Sequence, residues 1–167
     1  MKVLVTGANG FVGHALCARL NKNGVLVVPG VRRACGMLGE YAVADIHGET
    51  SWTYALKGCQ AVIHLAARVH VMKDKSPDPL AAFRRVNVKG TANLARQAAR
   101  AGVHRFVYLS SIKVNGEFTE AAHQFAADDP PAPDDPYGVS KHEAEQLLLQ
   151  IAAETGMEVT CPVFPYR

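Results

Sequence analysis

A tyrosine and a lysine lie four residues apart in a segment that is predicted to open a helix. Tyr137 and Lys141 follow Asp135-Pro136, a pair typical of an N-cap and a first helical position. Because positions i and i+4 share one helix face, the two side chains are expected to lie together. A tyrosine is a weak acid with a pKa of about 10, and a neighbouring ammonium lowers that pKa. The pair is therefore a candidate general acid/base.

Two serines follow the apolar run Arg105–Leu109, which is predicted to be a strand. In parallel α/β sheets, ligands bind at the carboxyl ends of the strands. A hydroxyl at Ser110 or Ser111 is therefore placed to hydrogen-bond a substrate carbonyl or hydroxyl. A tyrosine and a lysine at this spacing are common on surface helices, but the combination with a serine at a strand end and a glycine turn is specific.

The glycine turn follows the first predicted strand, Lys2–Thr6. It contains Gly7, Gly10 and Gly13, and a helix is predicted over Phe11–Asn23. The first glycine permits the tight turn, the second lets the backbone approach a pyrophosphate, and the third lets helix and strand pack closely. Amides at the helix N-terminus can then hold the anion. The G-x-x-G-x-x-G spacing is one residue longer than the dinucleotide fingerprint, but its position predicts dinucleotide binding.

The end of the second predicted strand distinguishes NADP from NAD. NAD-binding proteins usually carry an acidic residue there for the ribose 2′-hydroxyl, whereas an arginine accommodates the 2′-phosphate of NADP. Here Val25–Val28 is followed by residues 29–33 without a carboxylate. Arg32 is placed to meet a phosphate, so NADP is predicted. If Arg32 is a solvent-exposed charge instead, NAD is the alternative.

Short apolar runs alternate with amphipathic stretches, as in a parallel sheet with helices on both faces. Strands are predicted at 2–6, 25–28, 41–44, 61–64, 105–109 and 158–163. Helices are predicted at 11–23, 52–57, 80–98 and 136–155. Residues 115–135 are expected to form a long loop. The predicted fold is an α/β, Rossmann-type doubly wound parallel sheet in three α/β/α layers, with strand order 3-2-1-4-5-6.

Composition excludes several classes of protein. The 167 residues are 49% hydrophobic and 20% charged, which excludes a disordered chain and predicts one domain. The net charge of +3 has no basic stripe, so no nucleic-acid partner is expected. The four cysteines and seven histidines lack the spacings of metal sites or disulfide frameworks, so no metal is predicted. Without a signal peptide or a long apolar run, no membrane association is expected and a cytoplasmic location is predicted.

Six segments resemble, in order, the extended short-chain dehydrogenase/reductase family of NAD-dependent nucleotide-sugar epimerases, dehydratases and reductases. They are TGANGFVG (Thr6–Gly13), VADI (Val43–Ile46), HLAA (His64–Ala67), VNVKGT (Val86–Thr91), LSSIKVNGE (Leu109–Glu117) and DPYGVSK (Asp135–Lys141). The resemblance implies that Tyr137 is the acid/base, that Lys141 binds the nicotinamide ribose and tunes Tyr137, and that Ser111 holds the substrate oxygen. Together with Arg32, the predicted coenzyme-binding residues are Gly7, Asn9, Gly10, Phe11, Val12, Gly13, Asp45, Ile46, Leu65, Ala66, Ala67, Asn87, Tyr137 and Lys141.

The resemblance also narrows the reaction. Family dehydratases carry an Asp-Glu pair directly after the residue that matches Ser111, whereas this chain has Ile112-Lys113. The segment resembles bacterial members that reduce or epimerise UDP-linked N-acetyl sugars. The implied reaction is hydride transfer between the nicotinamide and C4 of a UDP-sugar, with Tyr137 exchanging a proton on the C4 oxygen. A homodimer that pairs through the helices near 80–100 and 136–155 is a further implication.

The resemblance weakens after about residue 158. Family members continue into an R-P-x-x-x-Y-G run and a C-terminal substrate domain, whereas Cys161–Arg167 places its prolines elsewhere. We therefore expect residues 1–167 to form a single NAD(P)-binding domain, with the substrate domain absent. Two hypotheses follow, a nucleotide-sugar oxidoreductase or epimerase and a catalytically silent NAD(P)-binding module or truncated fragment.

Overall fold

A computed structural model describes most of the chain, namely residues 1–69, 77–119, 124–126 and 128–163. Its six strands are β1 (Lys2–Thr6), β2 (Leu26–Val31), β3 (Tyr41–Ala42), β4 (Ala61–His64), β5 (Arg105–Tyr108) and β6 (Glu158–Thr160). Its α-helices are α1 (Phe11–Lys22), α2 (Thr53–Leu56), α3 (Pro79–Phe83), α4 (Thr91–Arg100) and α5 (Pro136–Thr155). A π-helical turn, Arg84–Gly90, joins α3 to α4, and a 3-10 turn, Ile112–Val114, follows β5.

The strands form one parallel sheet in the order β3-β2-β1-β4-β5-β6. This confirms the predicted doubly wound topology. The chain runs outward from β1 through β2 to β3, and then returns to place β4 on the other side of β1. The carboxyl ends of β1 and β4 therefore border the point where the strand order reverses, which is where ligands bind in open α/β sheets.

Two clusters of buried apolar residues cover the two faces of the sheet. Val3 and Val5 of β1 pack in one cluster with Cys17 of α1. Leu4, which lies between those valines and points to the opposite face, packs in the other cluster with Leu94 of α4 and Leu148 of α5. Because neighbouring residues of β1 are buried on both sides, the three-layer α/β/α arrangement follows directly from its near-continuous apolar sequence.

Several element boundaries differ from the predicted ones. The second strand was predicted to end at Val28, but β2 continues through Pro29 and Gly30 to Val31. Proline is tolerated at that point because β3 pairs only with the last two residues of β2, so Pro29 lies at an open edge. β3 and β6 are shorter than predicted. The predicted helix 80–98 is divided by the π-helical turn. The tail at 164–167 lies outside the described residues.

No helix among the described residues is long and apolar enough to cross a membrane.

Candidate functional site

The glycine turn between β1 and α1 has no room for a side chain at two of its glycines. Gly7 has a φ of +67°, and a Cβ there would lie 2.9 Å from the Ala66 nitrogen. A Cβ on Gly13 would lie 2.1 Å from the Gly7 carbonyl oxygen, a distance that no real contact allows. The Gly10 amide donates to that same carbonyl at 2.9 Å. The first glycine therefore supports the turn and the third lets α1 pack against it, as predicted.

The N-terminus of α1 can bind an anion. Gly10 is the N-cap residue, no side chain caps the helix, and its first turn has no acidic residue. The first amides of a helix have no partner within the helix and carry partial positive charge. Together with the glycine turn, which brings the backbone within reach of a ligand, these amides form a cradle that fits a diphosphate group.

A cleft of about 980 Å³ opens beside this turn, at the carboxyl ends of β1, β2 and β4. Its size lies within the range of sites for small molecules and cofactors. Nine of the predicted coenzyme-binding residues line it: Gly7, Asn9, Gly10, Arg32, Asp45, Ile46, Leu65, Ala66 and Ala67. Trp52, Arg68 and Val86 line it too, although no sequence pattern pointed to them. The structure thus brings the glycine turn, the end of β2 and the loop after β4 to one crevice.

The end of β2 presents positive charge to the cleft. Arg32 and Arg33 follow this strand, are exposed, and line the cleft. The next acidic residue, Glu40, is bound within its own loop, where its carboxylate accepts hydrogen bonds from the amides of Cys35, Gly36 and Met37 at 3.0 to 3.3 Å. These amides lower the pKa of Glu40. Its carboxylate is therefore engaged in the loop rather than with a ribose.

Asp45, the carboxylate that does line the cleft, is also engaged. One of its oxygens lies 2.9 Å from the guanidinium of Arg85, and the other accepts from the amide of Ile46 at 2.9 Å. Gly90 allows the π-helical turn to approach this segment, because a Cβ there would lie 2.6 Å from the Ile46 side chain. Asp45 and Ile46 are therefore held in place as one wall of the cleft.

Lys141 is almost fully buried, with 2% of its surface exposed. Its ammonium donates to the carbonyl of Leu109 at 2.5 Å and lies 3.8 Å from the centre of the Tyr108 ring. Burial lowers the pKa of Lys141 from 10.5 to about 7, while the charge of Glu145 opposes that shift. The amine contacts the residue directly before Ser110 and Ser111 and titrates near neutral pH.

Ser111 and Tyr137 belong to segments that pack against each other. Ser111 is the N-cap of the 3-10 turn and accepts from the Lys113 amide at 3.3 Å. The Lys113 ammonium lies 2.6 Å from the carboxylate of Asp135, whose other oxygen accepts from the Gly138 amide at 2.5 Å as the N-cap of α5. A Cβ on Gly138 would lie 2.6 Å from the Lys113 carbonyl oxygen. The start of α5, which carries Tyr137, is thus fixed to the turn that follows Ser111.

Asn87, in the π-helical turn, forms hydrogen bonds that support the start of α5. It is 1% exposed, and its side-chain amide accepts from the Arg68 nitrogen at 2.8 Å and donates to the Arg68 oxygen at 3.0 Å. It also donates to the Ser140 hydroxyl at 2.9 Å, which in turn donates to the Tyr137 carbonyl at 2.8 Å. Asn87 therefore joins the loop after β4 to α5 through protein contacts, as a supporting residue would.

A buried polar chain that sequence reasoning missed links β1, β4 and α4. The Ala66 amide donates to the Thr6 hydroxyl at 3.2 Å, which lies 2.6 Å from Nδ1 of His64. The other ring nitrogen of His64 lies 3.0 Å from the Thr91 hydroxyl. Burial lowers the pKa of His64 to about 3, so the imidazole is neutral. The only sequence signal was a set of polar residues at the ends of apolar strands.

The fold is of the doubly wound α/β class, and its cleft lies where the strand order reverses, which is where proteins of this class bind dinucleotides. A sequence model of the NAD dependent epimerase/dehydratase family matches residues 3–165. The chain belongs to this family.

Individual relatives agree with that assignment. The chain is 46% identical over 162 residues to a UDP-glucose 4-epimerase of Vibrio cholerae, covering 94% of this chain and 49% of that protein. A short-chain dehydrogenase/reductase superfamily protein of Agrobacterium tumefaciens, solved with bound NAD, superposes with a TM-score of 0.84 at 33% identity, over 96% of this chain and 48% of that one. MoeE5, solved with UDP-glucuronic acid and NAD, gives 0.82 at 36% identity, over 98% and 53%. The chain thus spans about half the length of these relatives.

Proposed function

We propose that residues 1–167 form one NAD(P)-binding domain of a nucleotide-sugar oxidoreductase or epimerase. The proposal rests on one observation. The cleft and the catalytic candidates lie at the carboxyl edge of the same sheet. The cleft is built on the glycine turn. Ser111 caps the turn after β5, Tyr137 lies in the first turn of α5, and Lys141 donates to the Leu109 carbonyl directly after β5.

In this proposal the diphosphate of the coenzyme binds at the first-turn amides of α1. Asp45 and Ile46 hold the adenine, while Leu65, Ala66 and Ala67 form a wall of small groups. NADP is the proposed coenzyme because two arginines follow β2 and Glu40 is held by its own loop. NAD is the alternative, and it is the nucleotide in the two solved relatives described above.

The chain's own residues supply the proton chemistry. When bound, the nicotinamide supplies or accepts the hydride at C4 of the sugar. Tyr137 moves a proton to or from the C4 oxygen, and Ser111 holds that oxygen by a hydrogen bond. Lys141 binds the nicotinamide ribose and, when protonated, favours the phenolate of Tyr137. The Lys113–Asp135 ion pair and Asn87 keep these groups in reacting geometry. Such positioning supplies a large part of the rate enhancement of an enzyme.

A UDP-sugar is the proposed substrate. Similarity to the UDP-glucose 4-epimerase and to MoeE5 with bound UDP-glucuronic acid supports this class. Lys113 occupies the position where the resemblance places a dehydratase glutamate, and its ammonium is bound by Asp135 and Glu117 at 2.6 Å. These contacts raise the pKa of Lys113 well above its usual value. A permanently protonated lysine cannot serve as the base of a dehydration, so reduction or epimerisation is the proposed reaction.

A coenzyme-binding module without turnover of its own is the second candidate. It is supported by the lining of the cleft, because the described residues that line it do not include Ser111, Tyr137 or Lys141. The pairing of two copies through the helices near 80–100 and 136–155 remains a prediction from the family resemblance, and light scattering tests it.

Fluorescence titration and a turnover assay separate the two candidates. NADPH and NADH are titrated first, and oxidation is then followed with a UDP-4-keto sugar. If the chain is the proposed enzyme, Tyr137→Phe abolishes turnover and retains coenzyme binding, while Tyr54→Phe, a change at an 80% exposed tyrosine, leaves both intact. Binding without turnover in the unchanged protein supports the module. Failure to bind either nucleotide contradicts both candidates.

A further inference from the structure

The Lys141 ammonium lies over the face of a buried aromatic ring. Its nitrogen is 3.8 Å from the centre of the Tyr108 ring, and that side chain is 1% exposed. The face of an aromatic ring is electron-rich and attracts a cation, more strongly when both are removed from water. The geometry is therefore that of a buried cation–π contact.

Two features fix the ring in this position. Tyr108 stacks on His64, with ring centres 5.8 Å apart and an angle of 26° between the planes. The imidazole is itself held between the hydroxyls of Thr6 and Thr91. Burial raises the pKa of Tyr108 well above its usual value, so the ring carries a neutral phenol. The contact with Lys141 is thus with the ring face and not with a phenolate charge.

The other titratable groups near Lys141 come from three elements. Glu145 lies one turn further along α5, and its charge raises the pKa of Lys141. The thiol of Cys161 follows β6. Burial raises the pKa of Cys161 to about 12, so this group is a neutral thiol. His64 on β4 is neutral too. Near neutral pH, the fixed attractions on the ammonium are therefore Glu145, the Leu109 carbonyl and the Tyr108 ring.

We propose that Tyr108 is a positioning residue, whose ring face holds the Lys141 ammonium protonated and directed toward the end of β5. The proposal deepens the proposed function, on which it rests for the role of Lys141. Burial disfavours the charged form of Lys141. Without the attraction of the ring, Lys141 would therefore remain a neutral amine down to a lower pH. A neutral amine would bind the ribose as a weaker donor and would not favour the Tyr137 phenolate.

Fluorinated phenylalanines at position 108 test the proposal without changing the shape of the ring. Fluorine withdraws electrons from the ring face, so the attraction weakens stepwise from Tyr108→Phe through difluoro- to trifluorophenylalanine. The pKa of Lys141 is measured by NMR of ¹³Cε-labelled lysine, with Lys141→Met to assign its signal. Tyr108→Phe is expected to leave the pKa of Lys141 almost unchanged, and full fluorination to lower it by about one unit. A pKa that is independent of fluorination overturns the proposal.

Coenzyme binding provides a second readout on the same variants. The pH at which NADPH binding weakens is expected to move with the pKa of Lys141 across the fluorinated series. Tyr108→Leu, which removes the ring, is expected to extend that trend if urea unfolding shows it to be folded. If the pKa of Lys141 follows fluorination but no nucleotide binds, the proposed function fails and the role of Tyr108 stands. If nucleotide binds and the pKa of Lys141 does not move, the role of Tyr108 fails alone.

Discussion

Removal of the buried charge of Lys141 is expected to stabilise the fold. Lys141 is 2% exposed, and its pKa is lowered from 10.5 to about 7. Compared with the unfolded chain, the folded protein therefore disfavours the charged form by about 5 kcal/mol. Lys141→Met keeps a side chain of similar length and needs no charge. Allowing for the lost contact with the Tyr108 ring, we expect the free energy of unfolding at neutral pH to increase by about 2 to 4 kcal/mol.

The pH dependence of stability gives a second signature of the same group. Because the folded pKa of Lys141 lies below the unfolded value, the unfolded chain binds more protons from about pH 7 to pH 10.5, and stability rises with pH there. The rise amounts to roughly 1.5 kcal/mol between about pH 7 and pH 8.5. His64, with a pKa of about 3, contributes its own rise mainly at lower pH. Cys161, whose pKa is raised to about 12, lowers stability only above about pH 9.

Urea unfolding across that pH window is the assay. The unchanged protein is expected to show the rise, Lys141→Met to be more stable with a nearly flat profile, and both to share one m-value. Lys22→Met, which removes an exposed charge at the end of α1, serves as the matched control and is expected to keep the rise. If Lys141→Met is less stable than the unchanged protein, or keeps the same pH profile, the argument from burial is wrong.

Three further predictions concern the cleft and its supports. Gly13→Ala places a Cβ 2.1 Å from the Gly7 carbonyl oxygen, so we expect a loss of about 2 kcal/mol or more in urea unfolding and loss of NADPH binding by fluorescence. Asp135→Asn keeps an N-cap but breaks the ion pair with Lys113. Asp135→Ala is expected to lose about 1 kcal/mol of stability, most of which Asp135→Asn retains. Both variants are expected to lower kcat to the same extent. Equal losses of stability in the two variants would contradict this. Arg32→Ala is expected to weaken NADPH binding about tenfold or more, with NADH binding unchanged, and equal effects on both nucleotides would exclude a 2′-phosphate contact.

The topology and the glycine turn could be predicted because they depend on local patterns. Near-continuous apolar strands that alternate with helices specify a parallel sheet, and Gly7 and Gly13 lie where the backbone leaves no room for a Cβ. The predicted second strand ends three residues before β2 does, and the residue that follows its predicted end is a proline. It is tolerated at Pro29, which lies at an open edge that only the assembled sheet reveals.

The supports of the site could not be predicted, since they join residues that are far apart in the chain. Glu40 is bound by its own loop through backbone amides, a geometry that the sequence does not encode as a motif. The contact between Lys141 and the Tyr108 ring joins α5 to β5, and His64 lies between hydroxyls from two other elements. Pattern reasoning identified Lys141 by its spacing from Tyr137, but not the groups that set its pKa.

A crystal structure of this chain grown with saturating NADP tests the central claim most directly. We predict that the diphosphate oxygens accept hydrogen bonds from the first-turn amides of α1, above Gly10, with the adenosine between Arg32 and the Asp45–Ile46 wall. An empty cleft at saturating nucleotide, or a diphosphate bound away from the glycine turn, would contradict the account.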